Sequence, residues 1–442
     1  MEVILVFIVA SVLGIVCGMV PGISVFVTLI VLYPFLSGLE PVNVITAYVV
    51  IVSMSQFFGS VSSTVFSIPG SVTSIISIQE GHTLFKQGQG DKAIMFAAIG
   101  SFIGSVAALV LSLVFLYSLF LLYGALDTHI KAALLVVTVA IFVITGKNTI
   151  LVNIVMIVAG YVLGEVGYHS GTDTSFLTFG YDFLYSGLPT ICIMLGLYVI
   201  PFIISSMHSD TKIQPFKKIS FAGYTESIRE IAFHRWVIVR GSIIGYLSGF
   251  IPGMTYHLGS IMSYYTEKYI LERKAKYKVG SIECLLGAET ANNAGVFSQL
   301  LPLLLIGIPI TASQALIYDL FITRGASLSI DFFQSMLIQV TIAYLISSVI
   351  GLFVAGKYVN WITIVTAIDF KYIYAAVLVI LVSVTLFVGY TVYQPIFYIC
   401  LLFILIPVGM LIRKLDCMPL IFTFLMHDQI YSNFLTLYHL SI

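Results

Sequence analysis

The chain has 442 residues, of which 59% are hydrophobic and 9% charged, with twenty Lys+Arg against twenty Asp+Glu. A soluble domain carries about 25% charged residues, so this composition excludes a soluble globular protein and points to a polytopic membrane protein. A net charge of zero leaves no basic surface to neutralise phosphates, which argues against nucleic acid as a partner.

Met1-Glu2 lacks the basic region that precedes a cleaved apolar core, so the N-terminus does not read as a secretory signal. Residues 3–20 and 24–36 are apolar runs separated by Pro21-Gly22. The second falls short of the roughly 20 residues that cross a bilayer, and reads as half of a hairpin or as a tilted helix. Residues 41–59 form a clearer span. The stretch from Ser60 to Ser74 carries eight hydroxyls in fifteen residues around Ile68-Pro69-Gly70. Backbone of that polarity is tolerated at membrane depth only when it is buried in protein or lines a cavity; serines acting as packing glue between helices are the alternative. Residues 79–92 read as the first polar loop, with no Lys or Arg before Lys86. Spans are expected near 93–122, 129–146, 149–168 and 187–207, with an acidic loop from Glu165 to Tyr185.

Residues 208–240 carry Lys212, Lys217, Lys218, Arg229, Arg235 and Arg240. Together with Lys268–Lys278 they hold eleven of the twenty basic residues, and positive charge marks cytoplasmic segments. The middle of the chain is therefore expected inside and Met1 outside. Further spans are expected near 334–355, 372–392 and 394–412, and a last apolar segment over 417–438. Cys17, Cys192, Cys284, Cys400 and Cys417 form no C-x-x-C pair and read as small apolar residues, with no zinc site and no disulfide framework.

One pattern occurs twice. Gly14-x-x-x-Gly18-x-x-Pro21-Gly22 recurs as Gly245-x-x-x-Gly249-x-x-Pro252-Gly253, each followed two residues later by a hydroxyl, Ser24 or Thr255. Proline removes a backbone donor and interrupts a helix, and apolar segments broken at matching places in two halves point to a transporter binding site. The alternative is a pair of Pro-kinked helices that merely pack through their glycines. A second break follows each first one, at Pro69 and at Pro309, with intervals of 48 and 57 residues; a loop insertion would absorb the difference. If the halves enter from opposite faces, they form an inverted repeat. The expected fold is all-α and polytopic, with roughly ten to twelve membrane segments. It comprises a first repeat over 1–207, a cytoplasmic linker over 208–240 and a second repeat over 241–442.

These residues resemble the large permease subunit of the tripartite tricarboxylate transporter family. The resemblance rests on Gly18-Met19-Val20-Pro21-Gly22, Ser67-Ile68-Pro69-Gly70-Ser71, Glu80-Gly81, where the family commonly has Asp-Gly, and Thr178-Phe179-Gly180. In the second half it rests on Gly249–Gly253, Glu289-Thr290-Ala291-Asn292-Asn293, and Leu301-Pro302-Leu303 through Pro309. It implies a cytoplasmic-membrane permease that imports small carboxylates on a cation gradient, with a small membrane subunit and an extracytoplasmic solute-binding protein as partners. A homodimer in the lipid bilayer stands among the expected arrangements. The chain departs from the family's pattern at Ser24, Thr255 and Ile310, where glycine is usual, and at Phe176, where an arginine is common.

A carboxylate needs donors, and no Lys or Arg lies in the four broken motifs. Helix starts after Pro21, Pro69, Pro252 and Pro309 would offer backbone N–H groups and a positive dipole end instead. The candidate substrate residues are Pro21, Gly22, Ser24, Ser67, Pro69, Gly70, Ser71, Thr73, Pro252, Gly253, Thr255, Asn292, Asn293, Pro309, Thr311 and Ser313. Glu289, with Asn293, is the candidate for a coupling cation, Na+ or H+, because an ionisable group among membrane segments is costly; a place at the membrane surface is the alternative. His257 is a weaker candidate, and Asp319 and Arg324 are expected to border a span. No cofactor is expected. An intramembrane aspartyl protease, suggested by Gly88-Gln89-Gly90-Asp91 and Tyr181-Asp182, fits poorly because both acids fall in polar loops and in reversed order. A carrier or channel for another small solute, working without a binding protein, is the remaining alternative.

Overall fold

The structure is a computed structural model, and the residues described are 2–20, 23–67, 76–124, 128–145, 148–169, 174–207, 224–253, 255–326, 330–357, 370–392 and 394–438. Helices dominate, with one short antiparallel hairpin pairing Gly167–His169 with Thr174–Phe176 inside the acidic loop. The first half contributes α1 (Glu2–Met19), α2 (Val25–Leu36), α3 (Pro41–Phe66), α4 (Gly90–Gly124), α5 (Thr128–Thr145), α6 (Ile150–Gly164), α7 (Thr190–Met194) and α8 (Ile200–Met207). π-Helical turns span Ser77–His82 and Leu195–Val199. The second half contributes α9 (Tyr224–Phe233), α10 (Arg235–Ser248), α11 (Thr255–Arg273), α12 (Ile282–Ser298), α13 (Leu301–Ile306) and α14 (Ala312–Thr323). It continues with α15 (Ile330–Lys357), α16 (Phe370–Thr391), α17 (Pro395–Ile412), α18 (Met418–Leu425) and α19 (His427–Tyr438). Among the described residues, six helices are long and apolar enough to cross a membrane, and four shorter apolar helices accompany them. The chain is an all-α polytopic membrane protein.

Sequence chemistry sets the helix ends. Pro41 opens α3 at a position where its missing donor costs nothing. Ser24, Ser281 and Thr311 cap α2, α12 and α14, each side-chain oxygen accepting the N–H three residues on. α3 ends in a left-handed Ser67 (φ 57°) and α13 in a left-handed Gly307 (φ 69°); Ile-Pro follows both. The two halves thus stop the helix before their second break in the same way.

α3 and α12 form the centre. α1 packs on α3 and α10 on α12, while each half lends its next long helix to the other: α4 lies on α12, and α15 on α3. Within the bilayer, apolar burial gives helices little reason to associate, so close van der Waals contact must do it. A Cβ at Gly18 would fall 2.5 Å from the Ser55 carbonyl, and one at Gly14 2.6 Å from Met54 Cβ. The second copy behaves alike: a Cβ at Gly245 would lie 2.6 Å from Ala291 Cα, and one at Gly249 2.8 Å from the Gly295 carbonyl. The glycine pairs of the repeated motif are therefore contact surfaces. Outward faces such as Ile4, Leu5, Ile8 and Val12 of α1 stay exposed and apolar, as lipid requires.

Several expectations change. The hydroxyl-rich stretch stays helical through Phe66, with Ser60, Ser62, Ser63 and Thr64 buried in protein. Residues 417–438 are two helices meeting at Met426. The polar loop at 79–92 begins as a π-helical turn with Glu80 wholly buried. The excess length of the second-half interval lies largely in α11, nineteen residues against twelve in α2. Two helices of the second half already start inside the stretch read as linker, α9 at Tyr224 and α10 at Arg235.

Candidate functional site

The helix pair α3 and α12 buries a polar seam. Along α12 every residue from Cys284 to Ser298 is enclosed, including Glu289, Thr290, Asn292 and Asn293. Gln56 and Ser60 face them from α3: Asn292 Nδ2 donates to Gln56 Oε1 at 3.0 Å, and Ser60 Oγ donates to Glu289 Oε1 at 2.6 Å. These contacts step in opposite directions along the two helices, so α3 and α12 run antiparallel. From α4, Ser101 Oγ donates to Glu289 Oε2 at 3.3 Å. Tyr344 of α15 donates to the Asn293 carbonyl at 2.7 Å, with Ser105 Oγ 3.1 Å from its hydroxyl.

Three charged side chains are buried among the described residues: Glu80, Glu267 and Glu289. Glu267 is matched by Arg240, whose Nε and Nη2 each donate at 2.7 Å. Glu80 takes four donors, from Tyr264, Tyr277 and the amides of Gly280 and Ser281. Burial and the Glu80 carboxylate push the Tyr277 phenol up from its ordinary value, so it stays a donor at neutral pH. Glu289 is held by hydroxyls and enclosed by protein. Beside it, Asn292 Oδ1 and Asn293 Oδ1 are buried acceptors with no protein donor, as is Gln299 Oε1 at the end of α12. Buried polar atoms are satisfied in most proteins, so the two open carbonyl oxygens of Asn292 and Asn293 near a carboxylate mark a place where a ligand can supply what the chain does not.

The second-half breaks meet each other. The Gly253 amide (φ 79°) donates to the Ile310 carbonyl at 3.0 Å, and the Ile310 amide to Gln314 Oε1 at 2.8 Å. Gln314 Nε2 then donates to the Gln299 carbonyl at 2.8 Å, closing the break onto the end of α12. Two of the backbone donors expected at the breaks are therefore used internally. The amides of Ala312 and Ser313 at the start of α14 have no intrahelical acceptor, because they open the helix. Tyr48 lies beside Thr311 and Gln314, and Tyr256, packed on Gly295, lies beside Gln56, Tyr48 and Cys17. The end of α1 and the start of α11 thus face one cluster.

The sequence-derived residues divide clearly. Asn292, Asn293 and Glu289 line the seam. Pro252, Gly253, Pro309, Thr311 and Ser313 gather at the second-half break, with Pro309 buried and the others half-buried. The Thr311 oxygen caps its own helix, accepting the Gln314 amide at 3.2 Å; Ser24 does the same for α2 and lies beside Tyr198. Ser67 is exposed at the end of α3. Thr255 begins α11, and its side chain is outside what is described, as are Pro21, Gly22, Pro69, Gly70, Ser71 and Thr73. His257 is half-buried, its ring 4.1 Å from that of Tyr256. Asp319 lies within α14, accepting from Tyr33 at 2.8 Å. Asp91 opens α4 and Asp182 an exposed short helix, on separate polar segments.

Sequence reasoning missed Tyr48, Gln56, Tyr256, Gln299, Gln314 and Tyr344. Gln56 was legible as an amide in an apolar run, and Thr311-Ala-Ser-Gln314 reads as a capping box.

Comparison with known proteins agrees with this architecture. The profile of the Tripartite tricarboxylate transporter TctA family matches residues 4–423. An uncharacterized 52.8 kDa protein in the TAR-I ttuC' 3' region of Agrobacterium vitis is 29% identical over 364 residues, 80% of this chain and 71% of its own length. An uncharacterized protein in the TAR-II ttuC' 3' region of the same organism is 33% identical over 127 residues, 27% of this chain and 52% of its own. No solved structure matches. A match across nearly the whole chain means that the chain belongs to the tripartite tricarboxylate transporter TctA family.

Proposed function

We propose that this permease carries small di- or tricarboxylates across the cytoplasmic membrane, coupled to a cation, by alternating access around the α3–α12 seam. The observation that carries the reading is the buried Glu289 carboxylate beside the open carbonyl oxygens of Asn292 and Asn293. A carboxylate with amide oxygens is the donor set of a hard monovalent cation, whereas the carboxylate cargo needs N–H and O–H donors. Those donors lie further along the seam, roughly 10–18 Å from Glu289 by the helix rise, at the α14 amides beside Gln299 and the hydroxyls of Tyr48, Tyr256 and Thr311. Cation and anion would thus occupy two stations along one seam, which suits coupled transport. The antiparallel run of α3 and α12, and the exchange of α4 and α15 between halves, support an inverted repeat over 1–207 and 241–442.

Family membership supports a small membrane subunit and an extracytoplasmic solute-binding protein as partners, with the basic 208–240 stretch cytoplasmic. The test is uptake of labelled dicarboxylates and tricarboxylates into proteoliposomes under imposed Na+ or pH gradients, with and without a partner binding protein. Glu289→Gln is expected to abolish gradient-driven uptake in folded, inserted protein. Wild-type uptake in that variant removes Glu289 from coupling, and non-saturating flux without a gradient identifies a channel.

A further inference from the structure

The first and second breaks of each half are followed by a tyrosine and a carboxylate that find each other across the halves. Tyr33 comes twelve residues after Pro21, and Tyr264 twelve after Pro252. Glu80 comes eleven after Pro69, and Asp319 ten after Pro309. The odd residue falls where Ser77–His82 adopts a π-helical turn, the geometry that accommodates one inserted residue. Tyr33 of the first half donates to Asp319 of the second at 2.8 Å, and Tyr264 of the second donates to Glu80 of the first at 3.1 Å. Each bond joins a segment that follows a first break to one that follows a second break in the opposite half. The arrangement is thus the same contact made twice.

The two contacts lie at opposite ends of the bundle. Tyr33 is near the end of α2, on the side where α3 begins, and there Arg324 just beyond α14 donates to the Leu39 carbonyl. Glu80 sits where α12 begins, against the amides of Gly280 and Ser281. The ends are not equally tied. Glu80 is fully enclosed and collects four donors, two of them backbone amides of the α11–α12 loop, whereas Asp319 is half-buried and takes the Tyr33 hydroxyl.

We propose that Tyr33–Asp319 and Tyr264–Glu80 are paired latches, one at each membrane face, whose release opens the central seam to that face. The proposal rests on the carrier reading above in naming what the opening serves; the latches themselves are tested without transport. Both are closed in this structure, and the unequal bonding makes the Asp319 side the one that opens more readily.

The experiment uses the full chain with its five cysteines replaced and a reporter, Ser313→Cys, half-buried at the break that closes onto the end of α12. Labelling by a membrane-impermeant maleimide is measured separately in intact cells and in inverted vesicles. Tyr33→Phe removes one hydroxyl donor to a charged group, and should raise labelling from the α3-start face by about tenfold or more. It should leave labelling from the other face within about twofold. The Tyr264→Phe, Tyr277→Phe double variant should do the reverse, and Glu80→Gln should act in the same direction. If the double variant does not insert, Tyr264→Phe alone supplies the comparison, with a smaller rise on the same face. No change in either variant, or a rise from the same face in both, overturns the latches. Face-specific labelling in a protein that shows no coupled uptake would leave the latches standing and refute the carrier reading.

Discussion

The sharpest test of the seam is Glu289→Gln read as a thermal shift, because the structure sets both of its terms. In the wild type, Ser60 at 2.6 Å and Ser101 at 3.3 Å donate to the carboxylate. Hydrogen bonds to a charged group contribute about 1.5–3 kcal/mol against about 0.5–1.5 for neutral pairs. Measured interhelical bonds inside membranes average only about 0.6 kcal/mol, so the isosteric swap should cost about 1 kcal/mol. Bound cation works in the other direction. At about a hundred times its Kd, an ion that binds only the folded state stabilises by about 2.7 kcal/mol. Spread over the unfolding entropy of a chain this size, that is on the order of a few degrees in Tm. Purified protein is melted in sodium chloride and in choline chloride at matched ionic strength. Sodium should raise the wild-type Tm and leave Glu289→Gln, itself only slightly less stable, unmoved. A variant that keeps the full sodium shift refutes the assignment of the ion to Glu289, and a wild type without any shift refutes sodium.

Other outcomes follow from particular contacts. Gly245→Ala should lower stability by about 1–3 kcal/mol, since the new methyl would meet the Ala291 backbone. Gly59→Ala, whose nearest neighbour would be 3.9 Å away, should stay within about 0.5 kcal/mol; equal melts for the two would show that the close glycine contacts are not holding the helices. Thr311→Ala should cost about 1 kcal/mol through the lost cap and Thr311→Ser very little, measured by thermal melting. On a cysteine-free background, Glu2→Cys should label from outside and Lys217→Cys from inside; cytoplasmic labelling of both would end the inverted topology.

The architecture was legible to the extent that single-chain patterns encode it. Apolar runs, a repeated Pro-Gly break and the scarcity of charge disclosed a broken-helix membrane protein. Glu289 stood out because an acid within a polar, charge-poor stretch has few innocent explanations. The rest depended on pairings that no local pattern contains. Glu80 read as a loop residue because its neighbours Gln79, Gly81 and His82 are polar, yet its four donors come from residues 264–281. Gln56 stands out as an amide in an apolar run, but its partner Asn292, like the Asn293 carbonyl that Tyr344 finds, appears only once α12 is placed against both helices. The repeated glycines pointed to a binding site by their company with proline, and the structure shows them meeting helix backbone. Backbone donors at the breaks were expected to be open, and the Gly253 amide is taken by the Ile310 carbonyl while the Ile310 amide is taken by the Gln314 side chain.

The exchange of long helices between halves bears on how such a chain is made. α3 enters the bilayer early with Gln56, Ser60, Ser62, Ser63 and Thr64 along it, and the partners that satisfy Gln56 and Ser60 lie on α12. Some 200 residues of chain separate the two helices, roughly ten to forty seconds of synthesis at ordinary rates. During that interval α3 must shelter its polar side against α1, against lipid headgroups or within the insertion machinery. A nascent chain halted after the first seven spans would present a half-built interior. Quality control at the membrane should therefore recognise truncated first halves as unfinished, and separately expressed halves should survive only when made together.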